Sequence, residues 1–196
     1  FVPGEPLGDV VDREFPLGTG RLVAIMDQTL SALQEAHANG GIHRDLKPDN
    51  LLVEATRDHT DFVKVLDFGI AKPIDVDGET GPLTRQGNPV GTPQYMSPEQ
   101  ARGRDVDAKS DVFSMGSVLY ALLTNELPFE GKNLTQVLMS VIGKEPVLPS
   151  ARVPEVDIDP DLEAICMKAL RKDPARRFES AQEFRGALKA VDPTAG

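Results

Sequence analysis

His43-Arg44-Asp45-Leu46-Lys47-Pro48-Asp49-Asn50 sets a carboxylate, an ammonium and a carboxamide on one short stretch that contains a proline and lies between two regular elements. Such side chains can converge from a loop held at both ends. Asp45 can accept a proton from an incoming hydroxyl, Lys47 can neutralise a transferring phosphoryl group, and Asn50 offers a carbonyl oxygen to a hard metal ion. Seventeen positions after Asn50 comes Asp67-Phe68-Gly69, an acid followed by a flexible glycine at the end of an apolar run. Asp67 fits a second metal ligand.

Working outward, Leu22, Ile25, Met26, Leu30 and Leu33 recur at helical spacing after Thr19, which is placed to cap the run, and Gly40-Gly41 stops it. Leu51 to Val53 and Phe62 to Leu66 read as a strand pair joined by the polar stretch Glu54 to Asp61, with no third strand in view. Residues 73 to 98 are rich in Pro, Gly, Thr and Asp and show no periodicity, the composition of a long functional loop. Beyond them Val112 to Leu123 is apolar nearly all round, which predicts a helix buried on every side. Three more helices are expected at 133–143, 160–172 and 180–191, with Pro160 following Asp159 and a capping box, Ser180-x-x-Glu183, opening the last. The expected class is mostly α (α+β), with short strand pairs around the loop at 43–50.

The whole chain has 196 residues, and its 21 Lys+Arg against 31 Asp+Glu give a formal charge of −10. That excess opposes binding of a nucleic-acid backbone or an anionic membrane over the whole surface, since both need a basic field. Its 40% apolar and 27% charged residues match an ordinary globular domain. Cys166 is the single cysteine, so no internal disulfide can form, and a reducing cytosol is expected. The uncharged runs are shorter than a bilayer span and are broken by Ser114, Gly116 and Ser117. Phe1 in place of Met, with no leader, gives the expectation of a piece of a longer protein.

His43 to Asn50, Asp67-Phe68-Gly69 and Ser97-Pro98-Glu99, in that order, resemble the protein-kinase signature H-R-D-L-x-x-x-N, D-F-G and A-P-E. The chain is similar throughout to the C-terminal lobe of eukaryotic-like serine/threonine protein kinases of bacteria. Serine at position 97 in place of alanine is a mild departure. The resemblance implies a kinase-like large lobe over 1–196, with a hinge remnant at 1–5 and an activation segment at 67–99. It also implies ATP with Mg2+, or Mn2+ in its place, and protein substrates bearing Ser or Thr acceptors. A cytoplasmic location follows, for a parent that is free or anchored to a membrane by other segments.

Carried over by position, Asp45 resembles the catalytic-loop base, Lys47 the lysine near the γ-phosphate, and Asn50 and Asp67 the metal-binding side chains. Val2 corresponds to the hinge amide that meets adenine, and Leu52 to the apolar residue beneath it. Thr92, beside Lys47 in the family pattern, implies Ser/Thr rather than Tyr specificity. Arg44 corresponds to the arginine that reads a phosphate on the activation segment, with Thr84 and Thr80 as the candidate phosphorylation sites. His43 reads as a buried packing residue, Asp111 as the holder of the catalytic-loop backbone, and Glu99 and Arg177 as a structural pair.

The family's Gly-rich loop, ATP-anchoring lysine and partner glutamate have no counterpart in these residues, so this chain alone is expected to be inactive. Gly18-Thr19-Gly20 and Val23-Ala24-Ile25-Met26 imitate two of those motifs but fall at the start of a helix, where they read as capping and core. His37 and His59 show no ligand spacing, and Cys166 reads as core. The competing readings are an inactive kinase-like scaffold and a small-molecule phosphotransferase of the aminoglycoside type. The intact quartet opposes the first, and Lys47, Thr92 and Glu99 oppose the second.

Overall fold

In the computed structural model, which describes residues 3–55, 61–67 and 93–191, the elements run in a fixed order. They are β1 (Glu5–Pro6), α1 (Leu7–Glu14), α2 (Thr19–Ala38), β2 (Leu51–Glu54), β3 (Phe62–Val65), α3 (Pro98–Ala101), α4 (Ala108–Thr124), α5 (Leu134–Gly143), α6 (Pro149–Arg152), α7 (Pro160–Ala169) and α8 (Ala181–Lys189). Short 3-10 turns lie at Pro48–Asn50, Pro93–Tyr95 and Pro174–Arg176. The chain is mostly helical with one small antiparallel sheet.

That sheet corrects the expectation of two strands. β1 pairs with β2 through Glu5↔Val53 and Pro6↔Leu52, while β2 pairs with β3 from Leu51↔Val65 to Glu54↔Phe62. A two-residue edge strand carrying a proline has no alternation to read. Leu51 and Val53 point into the main core, and Leu52, equally buried, faces the other side of the sheet. α1 was also unforeseen, although Leu7, Val10 and Val11, all buried, mark its inner face at helical spacing.

α4 is the centre of the core, extending beyond the expected 112–123 at both ends. Asp107 accepts the Lys109 N–H at 2.9 Å to open it, and Asn125, at φ 52 in the left-handed region, closes it. Its Val112, Phe113, Met115, Val118, Leu119 and Leu122 are all buried, each worth about 1.5–3 kcal/mol on transfer from water. Two buried hydroxyls of this helix turn back on the helix itself: Ser114 Oγ donates to the Ser110 carbonyl and Thr124 Oγ1 to the Tyr120 carbonyl. Gly116 allows α7 to cross closely, since a Cβ there would lie 2.8 Å from the Cβ of Ala169. Cys166, on the α7 face at this crossing, is fully buried, and burial pushes its thiol pKa up.

Several expected helix ends differ, α8 closing at Lys189 instead of 191. Thr19 is the first residue of α2 and Gly18 its cap, without a side-chain bond. Ser180 Oγ does accept the Glu183 N–H at 3.2 Å, but the Glu183 carboxylate reaches the Glu179 N–H at 2.7 Å, so the reciprocal half of the box is displaced by one residue. α7 ends at Ala169 instead of 172, because the Arg171 and Lys172 carbonyls turn to the Arg177 guanidinium. α8 packs along α2, where Arg185 binds Asp27 bidentately. Among the described residues no helix is long and apolar enough to cross a membrane.

Candidate active site

The loop at 43–50 is hung from a buried carboxylate. Asp111, in the first turn of α4 and fully buried, accepts the His43 N–H at 2.8 Å on Oδ2 and the Arg44 N–H at 2.9 Å on Oδ1. A third donor comes from His37 Nε2, 2.8 Å from Oδ2, at the end of α2. Because a carboxylate only accepts, His37 must carry a proton on Nε2. Three donors meet the requirement that a buried charge be hydrogen-bonded. His37 is the functional residue that spacing arguments missed, since its partner lies 74 positions away.

Arg44 sits at φ 69, a conformation uncommon for a side-chain-bearing residue. Asp111 holds its N–H, and Gln100 Nε2 of α3 donates to its carbonyl at 2.7 Å. Its side chain is thereby aimed outward, exposed and without a partner among the described residues. Asp111→Ala is expected to orphan the buried His43 N–H, at about 1–3 kcal/mol, and the part-buried Arg44 N–H at less. Asp111→Asn, which keeps one acceptor, should lose less. Urea unfolding together with amide exchange at His43 and Arg44 measures both; equal loss in the two variants would contradict the arrangement.

The His43 ring is buried, with Nε2 2.7 Å from the Leu66 carbonyl and Nδ1 accepting the Asp45 N–H at 3.3 Å. A carbonyl takes the Nε2 proton and leaves Nδ1 as acceptor, so the ring is neutral and structural. It ties the loop to the chain just before Asp67.

Three side chains, Asp45, Lys47 and Asn50, gather beside this frame. Lys47 Nζ lies 3.8 Å from Asp45 Oδ2, the lysine mostly covered and the aspartate half exposed. Asn50 Nδ2 donates to the Asp45 carbonyl at 2.7 Å and to Asp45 Oδ2 at 3.3 Å. The 3-10 turn Pro48–Asn50 sets this spacing, with the Asn50 N–H on the Lys47 carbonyl. The Asn50 carbonyl in turn accepts the Leu66 N–H at 2.8 Å, which fixes Asp67 beside it at φ 52, exposed. With Nδ2 spent on Asp45, Asn50 keeps Oδ1 as a hard oxygen donor, and Asp67 adds a carboxylate. Among the described residues no group of three or more His, Cys, Asp and Glu forms a protein cage for a metal. One or two protein oxygens with water and phosphate suit Mg2+, which retains much of its hydration. The donor set fits that ion.

Leu52, two positions after Asn50 on β2, is buried. Gly4 lies over it, and a Cβ at Gly4 would come 2.9 Å from the Leu52 Cβ. On the other flank, Ser97 and Gln100 exchange a reciprocal capping box at the start of α3. Glu99 Oε1 and Oε2 accept Arg177 Nη1 and Nη2 at 2.8 and 2.9 Å. Ser110 Oγ also donates to Glu99 at 2.6 Å. Arg177, with no exposed side-chain surface, spends its other N–H groups on the carbonyls of Arg171, Lys109 and Lys172. Burial alone would raise the Glu99 carboxyl, but the hydrogen bonds from Arg177 and Ser110 outweigh it and hold the group down at about 2. Val2, Thr80, Thr84 and Thr92, with Phe68 and Gly69, lie outside the described residues.

Residues 1–186 match the family model described as protein kinase domain. The chain is 48% identical over 192 residues to serine/threonine-protein kinase pkn3 of Myxococcus xanthus, covering 98% of this chain and 35% of that protein. It is 42% identical over 191 residues to serine/threonine-protein kinase PknB of Mycobacterium tuberculosis, covering 97% of this chain and 29% of that protein. The chain thus spans about a third of the length of these relatives. Among solved structures, that of Rad53 in complex with AMP-PNP superimposes with a TM-score of 0.76 at 28% identity, covering 97% of this chain and 45% of the other.

Proposed function

The chain belongs to the protein kinase domain family, and on that basis we propose that it is the large lobe of a catalytic domain that transfers the γ-phosphoryl group of ATP to Ser or Thr hydroxyls of proteins. The observation that carries this reading is the cluster of Asp45, Lys47 and Asn50 on a loop braced by Asp111, to which the backbone just before Asp67 is tied through Leu66. In the transfer the acceptor oxygen forms a bond to the γ-phosphorus, the bond to the bridging oxygen of ADP breaks, and the hydroxyl proton passes to Asp45. Lys47 contributes positive charge beside that carboxylate. Asn50 and Asp67 would hold Mg2+, which when bound offsets the charge of the phosphate oxygens. Most of the rate then comes from positioning and charge, with no covalent intermediate on the protein. Leu52 would support the adenine, and Val2 its edge.

Thr92 and the following Pro93–Ala101 are the proposed platform for the acceptor segment. Glu99 and Arg177 anchor its far end, and Gln100 connects it to Arg44 of the catalytic loop. The test is transfer of labelled γ-phosphate by the full-length protein to Ser, Thr and Tyr peptides and to an aminoglycoside. Transfer to Ser and Thr peptides supports the reading. Preference for the aminoglycoside, or no transfer with ATP bound, overturns it.

Control is proposed to act through Arg44, whose outward side chain would pair with a phosphate on Thr84 or Thr80. A phosphate brings roughly −1.5 to −2 charges and orders such a segment when an arginine meets it. Thr84→Ala is expected to lower the activity of the purified full-length enzyme, and Arg44→Ala to remove the response to phosphorylation. Mass spectrometry finding neither threonine modified in fully active protein would overturn this.

A further inference from the structure

α5 ends without a basic residue in its last turn, yet its terminal carbonyls are not left to water. Lys172 Nζ, from the loop after α7, donates to the Val141 carbonyl at 2.8 Å. Arg102 Nη2, just after α3, donates to the Ile142 carbonyl at 3.1 Å. The last four carbonyls of a helix lack intrahelical partners and carry the negative end of its dipole, so donors on cationic side chains are the natural complement. Here both come from elsewhere in the chain.

The seat of Lys172 is specific. Its Nζ lies 3.6 Å from the centroid of Phe129, in the loop before α5, and 5.3 Å from that of Phe113 on α4, two rings stacked at 5.8 Å. The backbone carbonyl of the same lysine accepts Arg177 Nη2 at 3.1 Å, and the Arg177 guanidinium lies 4.9 Å from the other stacking partner, Phe113. One residue therefore touches α5 through its side chain and the Glu99–Arg177 bridge through its main chain. α5 itself packs on α3 and on the turn Pro93–Tyr95.

We propose that Lys172 and Arg102 together cap α5 and thereby set the height of the acceptor platform, which makes Lys172 a positioning residue for the protein substrate. This rests on the reading of residues 92–101 as that platform. α3 is pinned by Arg102 from one side and by Glu99 from the other, so a loosened α5 shifts the floor on which the acceptor segment lies, while the loop at 43–50 keeps its own anchor on Asp111. Burial pushes the Lys172 amine down to about 7, with Glu145 drawing it up and Arg177 and Arg102 pressing it further down. From α4 and the loop before α5 it faces rings. Protonated or neutral, it still has an N–H for Val141. Because burial favours the uncharged amine, the contribution of this seat to folding stability is complete above the ordinary lysine value of 10.5 and is lost as pH falls towards about 7.

The experiment compares Lys172→Met, which keeps the apolar stem over Phe129 but has no donor, with Lys172→Arg, which restores one. In the full-length protein, amide exchange in the last turn of α5 should quicken roughly tenfold in the Met variant and return towards wild type in the Arg variant. KM for a peptide acceptor should rise by a similar factor in the Met variant, with kcat and KM for ATP within about twofold of wild type. Exchange at α5 unchanged in Lys172→Met overturns the cap. Faster exchange with an unaltered peptide KM overturns its bearing on the substrate. Absence of phosphoryl transfer by the wild-type protein counts against the proposed function alone, and the exchange measurement still decides the cap.

Discussion

Asp45→Asn in the full-length protein is expected to lower kcat by about 10²–10⁴-fold while leaving ATP affinity nearly unchanged. The side chain is half exposed, held on one oxygen by Asn50 and neighboured by Lys47 at 3.8 Å. Asparagine has almost the same shape, and the Asn50 bond to the residue 45 carbonyl at 2.7 Å does not depend on the side chain. The loop should therefore keep its course. What asparagine cannot do is accept the hydroxyl proton, which in the proposed role of Asp45 happens in the transition state and not when nucleotide binds. A loss in kcat without a change in ATP affinity identifies such a group. Asn50→Ala makes the contrast, because removing the oxygen proposed to face Mg2+ should weaken ATP·Mg binding as well. Single-turnover transfer and nucleotide titration of the two variants separate the roles. Equal losses of kcat and ATP affinity in Asp45→Asn would contradict the assignment.

Glu99→Ala and Arg177→Ala are each expected to destabilise the fold by about 3–5 kcal/mol, and the double replacement by apolar residues by much less than the sum. Arg177 has no exposed side-chain surface and Glu99 only 12%, so each single variant leaves a charge in the interior with its main partner gone. Ser110 Oγ cannot compensate for a guanidinium, and three backbone carbonyls cannot neutralise Arg177. A double-mutant cycle from urea unfolding measures the coupling, and a value near zero would show that the two side chains contribute independently. pH supplies a second measurement. The Glu99 carboxyl is held at about 2, below its ordinary 4.5, so the folded state binds fewer protons than the unfolded one between those values. Its contribution is complete above about pH 4.5 and is lost as pH falls towards about 2. In Arg177→Met that acid-labile part of the stability should shrink; a variant retaining the wild-type acid profile would refute the pairing as its source.

The run Val112 to Leu123 announced a helix with no polar face, and such a helix has nowhere to lie except the centre of the core. Asp159-Pro160 and Ser180 announced two helix starts because capping acts within three or four residues and is written in neighbouring letters. That Asp45, Lys47 and Asn50 lie together was legible for the same reason, because they stand within six positions of one another. The two-residue β1 escaped because a strand of that length has no period, and α1 was passed over although Leu7, Val10 and Val11 spell its buried side.

Apart from Asp111 with the loop backbone and Glu99 with Arg177, which the family resemblance implied, partnerships across the fold left no such trace. Nothing near His37 points to Asp111, 74 positions on, and nothing near Gln100 points to the Arg44 carbonyl, 56 positions back. Lys172 reads as an ordinary surface lysine until α5 and the Phe113–Phe129 stack are in place beside it. Helical period, caps and motifs are set by forces between residues a few positions apart. A hydrogen bond across the core exists only after several helices have packed to within a few ångströms, and that distance depends on every side chain between them.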